Sequence, residues 1–225
     1  MAARRSVLHV ISLSIEHDED TGEDKMLIED GSSFVIKVNH QSQESILLTC
    51  AHVLSGDLIP GSLRVRRMVP YGVEQFPAHI LHINKVMDAA VLRVPGLIAA
   101  PPLRFARDDP TFAEGIAAIG YCDTSGRLNG FSAIPAIKPG RIRGTVTKVL
   151  LKRIRLYHLM VSCVGMKGMS GGPIVSRRGV VGMLGGEETR CTYSIHRTTI
   201  YALLKRFAGV PRQAALTMDD VINLL

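Results

Sequence analysis

The segment Gly168-Met-Ser-Gly-Gly-Pro173 carries the clearest chemical signal in the chain. A serine set among glycines, ahead of the apolar run Pro173-Ile-Val, can stand on a sharp bend with its hydroxyl exposed. Such a hydroxyl is a poor nucleophile until a base takes its proton. Of the eight histidines, His52 stands out, because it closes the strand-like run Ile46-Leu-Leu-Thr-Cys-Ala-His52. An imidazole acting as base needs a carboxylate to fix its tautomer and stabilise the imidazolium. Asp88 stands at the mouth of the apolar run Ala89-Ala-Val-Leu-Arg-Val94, where a carboxylate has no other explanation. The oxyanion of a tetrahedral intermediate needs two N–H donors, and the amides of Gly168 and Ser170 are the natural pair. Taken singly, Ser170 could be a turn serine, His52 a core histidine and Asp88 a cap. Together they describe acyl transfer.

Other reactive side chains point elsewhere. Cys50, two residues before His52, shares its strand face and reads as a packed thiol rather than a nucleophile. His79 and His82 lie near Asp88, but no further thiol or carboxylate set completes a metal site, so neither metal nor cofactor is expected. The four cysteines (Cys50, Cys122, Cys163 and Cys191) show no CxxC spacing and are too few for a disulfide scaffold. Reduced thiols are the simplest reading, with a Cys163–Cys191 bridge left open.

Composition limits the setting. With 225 residues, 46% hydrophobic and 21% charged, the chain can bury one large core or two small ones, which excludes disorder. No apolar run approaches the roughly eighteen residues of a membrane span. Met1-Ala-Ala-Arg-Arg-Ser6 is basic, but Ser12, Ser14 and Glu16-His-Asp-Glu-Asp20 interrupt the stretch that a signal peptide would need. The expected location is therefore intracellular, in cytoplasm or nucleus. The formal net charge is +7, and no carboxylate falls between Asp123 and Glu187. That positive half could draw acidic partners. Aliphatic residues alternate with the charges at Arg141-Ile-Arg143 and Arg153-Ile-Arg155, without interleaved aromatics, so a solvated strand face is favoured over nucleic-acid binding.

Alternation with a period of two predicts strands at Val7–Ile15, Ser33–Val38, Ser45–Thr49, Ser62–Met68, Ala78–Ile83 and Ala89–Val94. After a Pro-rich break from Pro95 to Pro110, a second series covers Gly115–Gly120, Gly144–Leu151, Ile154–Ser162, Pro173–Ser176 and Val180–Leu184. Helical spacing enters only at Ile200, Leu203, Leu204 and Phe207, with Gly209 and Pro211 behind it. A last short helix is expected over Leu216–Leu225, capped by Thr217. The class is all-β.

These motifs and their order resemble the trypsin-like serine proteases of the Deg/HtrA type. The likeness rests on Gly31-Ser-Ser-Phe-Val-Ile36, Ile46–Leu54, Asp88–Val94, Gly115–Gly120 and Gly168–Gly172, and runs from about Val7 to Phe207. It implies two packed six-stranded antiparallel β-barrels, residues 1–100 and 101–198, followed by a C-terminal helix and tail, 199–225. It also implies a cleft between the barrels that unites His52, Asp88 and Ser170, and a polypeptide substrate.

Departures from the family pattern refine this expectation. Met169 stands where chymotrypsin-like zymogens carry the aspartate that pairs with a new N-terminus. Val164 stands where trypsin-like pockets hold an acid. Val164, Met166 and Met183 are therefore expected to form a small apolar specificity pocket. Residues after Phe207 are too few for a PDZ domain, and the oligomeric state, homo-oligomer included, stays open. Two other readings remain: an inactive protease-like peptide-binding module, and a viral-type processing protease whose second barrel binds RNA.

Overall fold

The computed structural model describes residues 2–18, 21–54, 57–69, 72–98, 100–122, 134–150, 154–188 and 191–225, with backbone alone at 2, 148–150, 154, 186–188 and 191. Among the described residues, fourteen strands and two α-helices follow in chain order. The first half holds β1 (Val7–His17), β2 (Asp24–Asn39), β3 (Glu44–Thr49), β4 (Asp57–Leu58), β5 (Arg64–Val69), β6 (Gly72–Pro77), β7 (His79–Asn84) and β8 (Ala89–Pro95). The second holds β9 (Gly115–Gly120), β10 (Ala136–Leu150), β11 (Ile154–Val161), β12 (Pro173–Ser176), β13 (Gly179–Glu188) and β14 (Cys191–His196). Helices α1 (Arg197–Phe207) and α2 (Met218–Leu224) close the chain.

The second half is the closed six-stranded antiparallel barrel that the sequence reading expected, in the order β10-β11-β14-β13-β12-β9. The first half is an eight-stranded antiparallel sheet, β6-β5-β1-β2-β3-β8-β7, with β4 added to β1. The sheet curls: a Cβ on Gly96, just after β8, would lie 3.7 Å from the ring of Phe76 on β6. The neighbouring strands β3 and β8 are apolar on both faces over Ile46–Leu48 and Ala89–Leu92, where both faces are covered. Phe34, Leu47, Leu48 and Leu92 are fully buried. The predicted strand end at Leu151, and the charges Lys152 and Arg153, lie outside the described residues.

Two elements join the halves. The Pro-rich break is a strap: the Leu103 amide donates to Val35 of β2, while Arg104 and Ala106 pair with Val180 of β13. The second joint is α1. Its stripe of Ile200, Leu203 and Leu204 is buried in the same cluster as Phe34 and Leu47, so the helix completes the first core rather than trailing from the second. His196 caps α1, its Nδ1 accepting from the Thr198 amide at 3.0 Å. Thr217 caps α2 as expected, in a reciprocal capping box with Asp220.

His9 of β1 stacks on Tyr121, which follows β9, with ring centroids 5.3 Å apart, so another contact crosses between the halves. Burial, assisted by the Arg66 charge, pushes the His9 imidazole down to about 4. The unfolded chain, with an ordinary imidazole, takes up this proton before the fold does. The neutral ring's contribution is therefore complete above pH 6.5 and is lost as pH falls toward 4. A depression of that size corresponds to about 3 kcal/mol. Denaturant unfolding between pH 7 and pH 4 should show most of that loss, and His9→Phe should flatten the profile. An unchanged pH dependence in the variant would contradict this role.

Candidate active site

His52 opens a single 3-10 turn, His52–Leu54, separated from the end of β3 by two residues. Val53 and Leu54 are buried and anchor the turn, leaving the imidazole exposed. Asp88 ends the turn before β8 in the left-handed region, φ 48°. Aspartate tolerates that conformation better than most residues, and backbone strain of this kind collects at working sites. The geometry delivers its carboxylate to His52 twice. Oδ1 accepts from the His52 backbone N–H at 2.9 Å, and the ring Nδ1 lies 2.8 Å from Oδ2 and 3.0 Å from Oδ1. An acceptor-only carboxylate on Nδ1 assigns the proton to that nitrogen and leaves Nε2 as the basic one.

Ser170 comes from the other half, on the bend between β11 and β12. The two glycines after it are dictated by close approach. A side chain on Gly171, which sits at φ 84°, would overlap the Ser32 carbonyl, and one on Gly172 would overlap the Ile119 carbonyl. The Ser170 hydroxyl donates to the Gly185 carbonyl on β13 at 3.0 Å. A Cβ on Gly185 would lie 3.9 Å from Asp88 Oδ2, so this one residue adjoins both the serine and the carboxylate. Asp88, with His52 bonded to it, and Ser170 from the other half thus both adjoin Gly185.

Ser32 on β2 holds the serine bend in place. Its Oγ donates to the Gly168 carbonyl at 2.8 Å and accepts the Tyr121 amide at 2.8 Å, and its own amide donates to the Ser170 carbonyl at 2.7 Å. The amides of Met169, Gly171 and Gly172 are also committed, to Met166, Leu184 and Met169 carbonyls. Among the described residues, the Gly168 and Ser170 amides donate to no protein acceptor. Met169 itself is fully buried.

A cavity of about 120 Å³ opens beside Ser170, lined by Gly165, Met166, Lys167, Leu184, Gly185 and Thr192. Of the three residues expected there, only Met166 takes part. Val164 is 65% exposed, and Met183 is 0% exposed inside the core. On a strand, neighbours face opposite ways, so Leu184 meets the cavity where Met183 turns inward. Cys50 is fully buried beneath the pair, its thiol donating to the Leu184 carbonyl at 3.1 Å. Burial, and then the Asp88 charge, push that thiol well up. Burial raises Cys163 likewise, and it is a free thiol.

The model of the trypsin-like peptidase domain matches residues 31–183, a segment that contains all of these residues up to Met183. The chain belongs to the trypsin-like peptidase family. Its fold is similar to an HtrA-type protease, AlgW, solved as a serine-to-alanine variant with a decapeptide (TM-score 0.70, 15% identity, 91% of this chain). The chain spans 64% of that protein's length. It is also similar to the Rv3671c protease of M. tuberculosis in its active form (TM-score 0.65, 20% identity, 95% of this chain and 85% of that one). No curated protein matches the sequence. Among the described residues, no helix of this trypsin-like chain is long and apolar enough to cross a membrane.

The Ser32 contacts yield a prediction. Ser32→Ala strands the Gly168 carbonyl and the Tyr121 amide, both inside the protein, at about 1–3 kcal/mol for each group left unpaired. Chemical denaturation should show a loss of that order. Reaction of Ser170 with an active-site phosphonate should slow more than tenfold, and a variant as stable and reactive as the native chain would contradict the assignment.

Proposed function

We propose that the chain is a serine endopeptidase in which Ser170 attacks the scissile carbonyl and His52 acts as base, then acid. Asp88 holds His52 in the tautomer that leaves Nε2 basic. The amides of Gly168 and Ser170 receive the oxyanion. The observation that carries this reading is the twofold grip of Asp88 on His52, beside a serine whose bend keeps two uncommitted N–H groups. At rest the Ser170 hydroxyl is turned to the Gly185 carbonyl, so attack begins with a rotation about its Cα–Cβ bond. As proton passes to Nε2, charge on the imidazolium is balanced by the carboxylate already in contact with Nδ1.

The substrate is a polypeptide. Met166 and Leu184 give the cavity beside Ser170 an apolar wall, Thr192 donates its hydroxyl to the Cys163 carbonyl, and among the described residues the lining holds no carboxylate. A short aliphatic side chain before the scissile bond suits it better than lysine or arginine. In a peptide library, Val, Ile or Leu there should be cleaved at least tenfold faster than Lys or Arg. Equal rates would overturn the pocket assignment.

The Ser170–Gly185 hydrogen bond also suits a second reading, an inactive peptide-binding module. Fluorophosphonate labelling separates the two. Native chain should label, Ser170→Ala should not, and Asp88→Asn should fall by about 10⁴ if tautomer control matters as in other triads. A native chain that binds peptide but never labels would favour the binding module.

A further inference from the structure

The thiol under the candidate triad has no part in the proposed hydrolysis. Cys50 Sγ, a ring nitrogen of His52 and an Asp88 carboxylate oxygen all lie within 4.8 Å of one another, and Nδ1 is the ring nitrogen that meets Asp88. Among the described residues, theirs is the one group of three or more Cys, His, Asp or Glu side chains whose donor atoms converge in this way. A histidine–aspartate pair alone offers two ligands. Here the chain supplies a third and softer one from the position two residues before the histidine. The donor atoms of a tetrahedral zinc site sit roughly 3–4 Å apart, so small side-chain rotations would bring these three onto one ion. Sulfur, imidazole and carboxylate together favour zinc-like cations over magnesium or calcium. The side chains of His52 and Asp88 are 46% and 34% exposed, which gives an ion a route to the buried sulfur from the solvent side.

We propose that Cys50, His52 and Asp88 form an inhibitory site for a thiophilic divalent cation of the zinc class. The balance of the step is simple. The cation takes the place of the Cys50 proton, which leaves to solvent, and the metal–sulfur bond forms. The His52 proton shifts from Nδ1 to Nε2 as Nδ1 becomes a ligand, and the Asp88 carboxylate turns from the ring to the ion. An imidazole protonated at Nε2 cannot accept the Ser170 proton, so the metal blocks the nucleophile without touching it. No oxidant or other reactant is needed. The inhibitory consequence rests on the serine-endopeptidase reading; the binding itself does not.

The test uses the intact chain with cobalt(II) as spectroscopic probe and zinc(II) as inhibitor. One equivalent of cobalt should give a near-ultraviolet thiolate-to-cobalt band in the native chain. The same band should appear in Ser170→Ala, which keeps all three ligands, and should be lost in both Cys50→Ala and Cys50→Ser. Zinc at one equivalent should slow fluorophosphonate labelling of the native chain at least tenfold, with recovery on chelation. In each Cys50 variant that retains the native thermal transition, zinc should change that variant's own metal-free rate less than twofold. Absence of the cobalt band in the native chain, or equal zinc sensitivity with and without the thiol, overturns the proposal. A band in a native chain that never labels supports the metal site and removes the hydrolase reading.

Discussion

The candidate site depends on one serine in the first half of the protein gripping a bend in the second. Ser32 donates to the Gly168 carbonyl, accepts from Tyr121 and binds the Ser170 carbonyl through its own amide. Each bond is worth only about 1 kcal/mol net, yet all three are inside the protein, where leaving them unmade costs more. Their effect is directional. With both carbonyls of the bend held toward β2, the amides of Gly168 and Ser170 are left with no protein acceptor among the described residues. A fixed pair of donors is what oxyanion stabilisation requires, because nothing then has to reorganise during the reaction.

The other side of the crevice is ordered by Asp88. Its left-handed backbone lets one carboxylate take both a main-chain and a ring hydrogen of His52. The two arrangements meet at Leu184 and Gly185 of β13. Leu184 accepts from Gly171 and from the Cys50 thiol, and Gly185 accepts from Ser170. The strap through Leu103 to Ala106 and the burial of α1 in the first core keep the halves from sliding. A third donor beneath the histidine, Cys50, makes the same crevice a candidate for control by metal ions.

Much of this was legible in the chain. Strict alternation and short apolar runs marked most strands, and the Thr217 cap and the stripe on α1 were readable from spacing. Strand β6 was missed because Gly72–Pro77 lies at an edge and has no continuously buried face. Strand β14 was missed because Cys191-Thr-Tyr-Ser-Ile-His196 mixes polar and apolar residues just before helical spacing begins. Ser32 lay inside the run Gly31–Ile36, but its bracing role was not legible, since its partners lie up to 138 residues away (170 − 32) and are met only once the halves dock. The cavity beside Ser170 is lined by Leu184 of β13 where the sequence pointed to its neighbour Met183. Strand parity is set by register against neighbours, which a single segment does not reveal.

The most direct measurement is a crystal structure of the chain after reaction with a fluorophosphonate. The account predicts phosphorus on Ser170 Oγ, with one phosphonyl oxygen about 3 Å from both the Gly168 and Ser170 amides, and His52 still held by Asp88. A chain that forms no adduct, or an adduct whose oxygen meets neither amide, would contradict it.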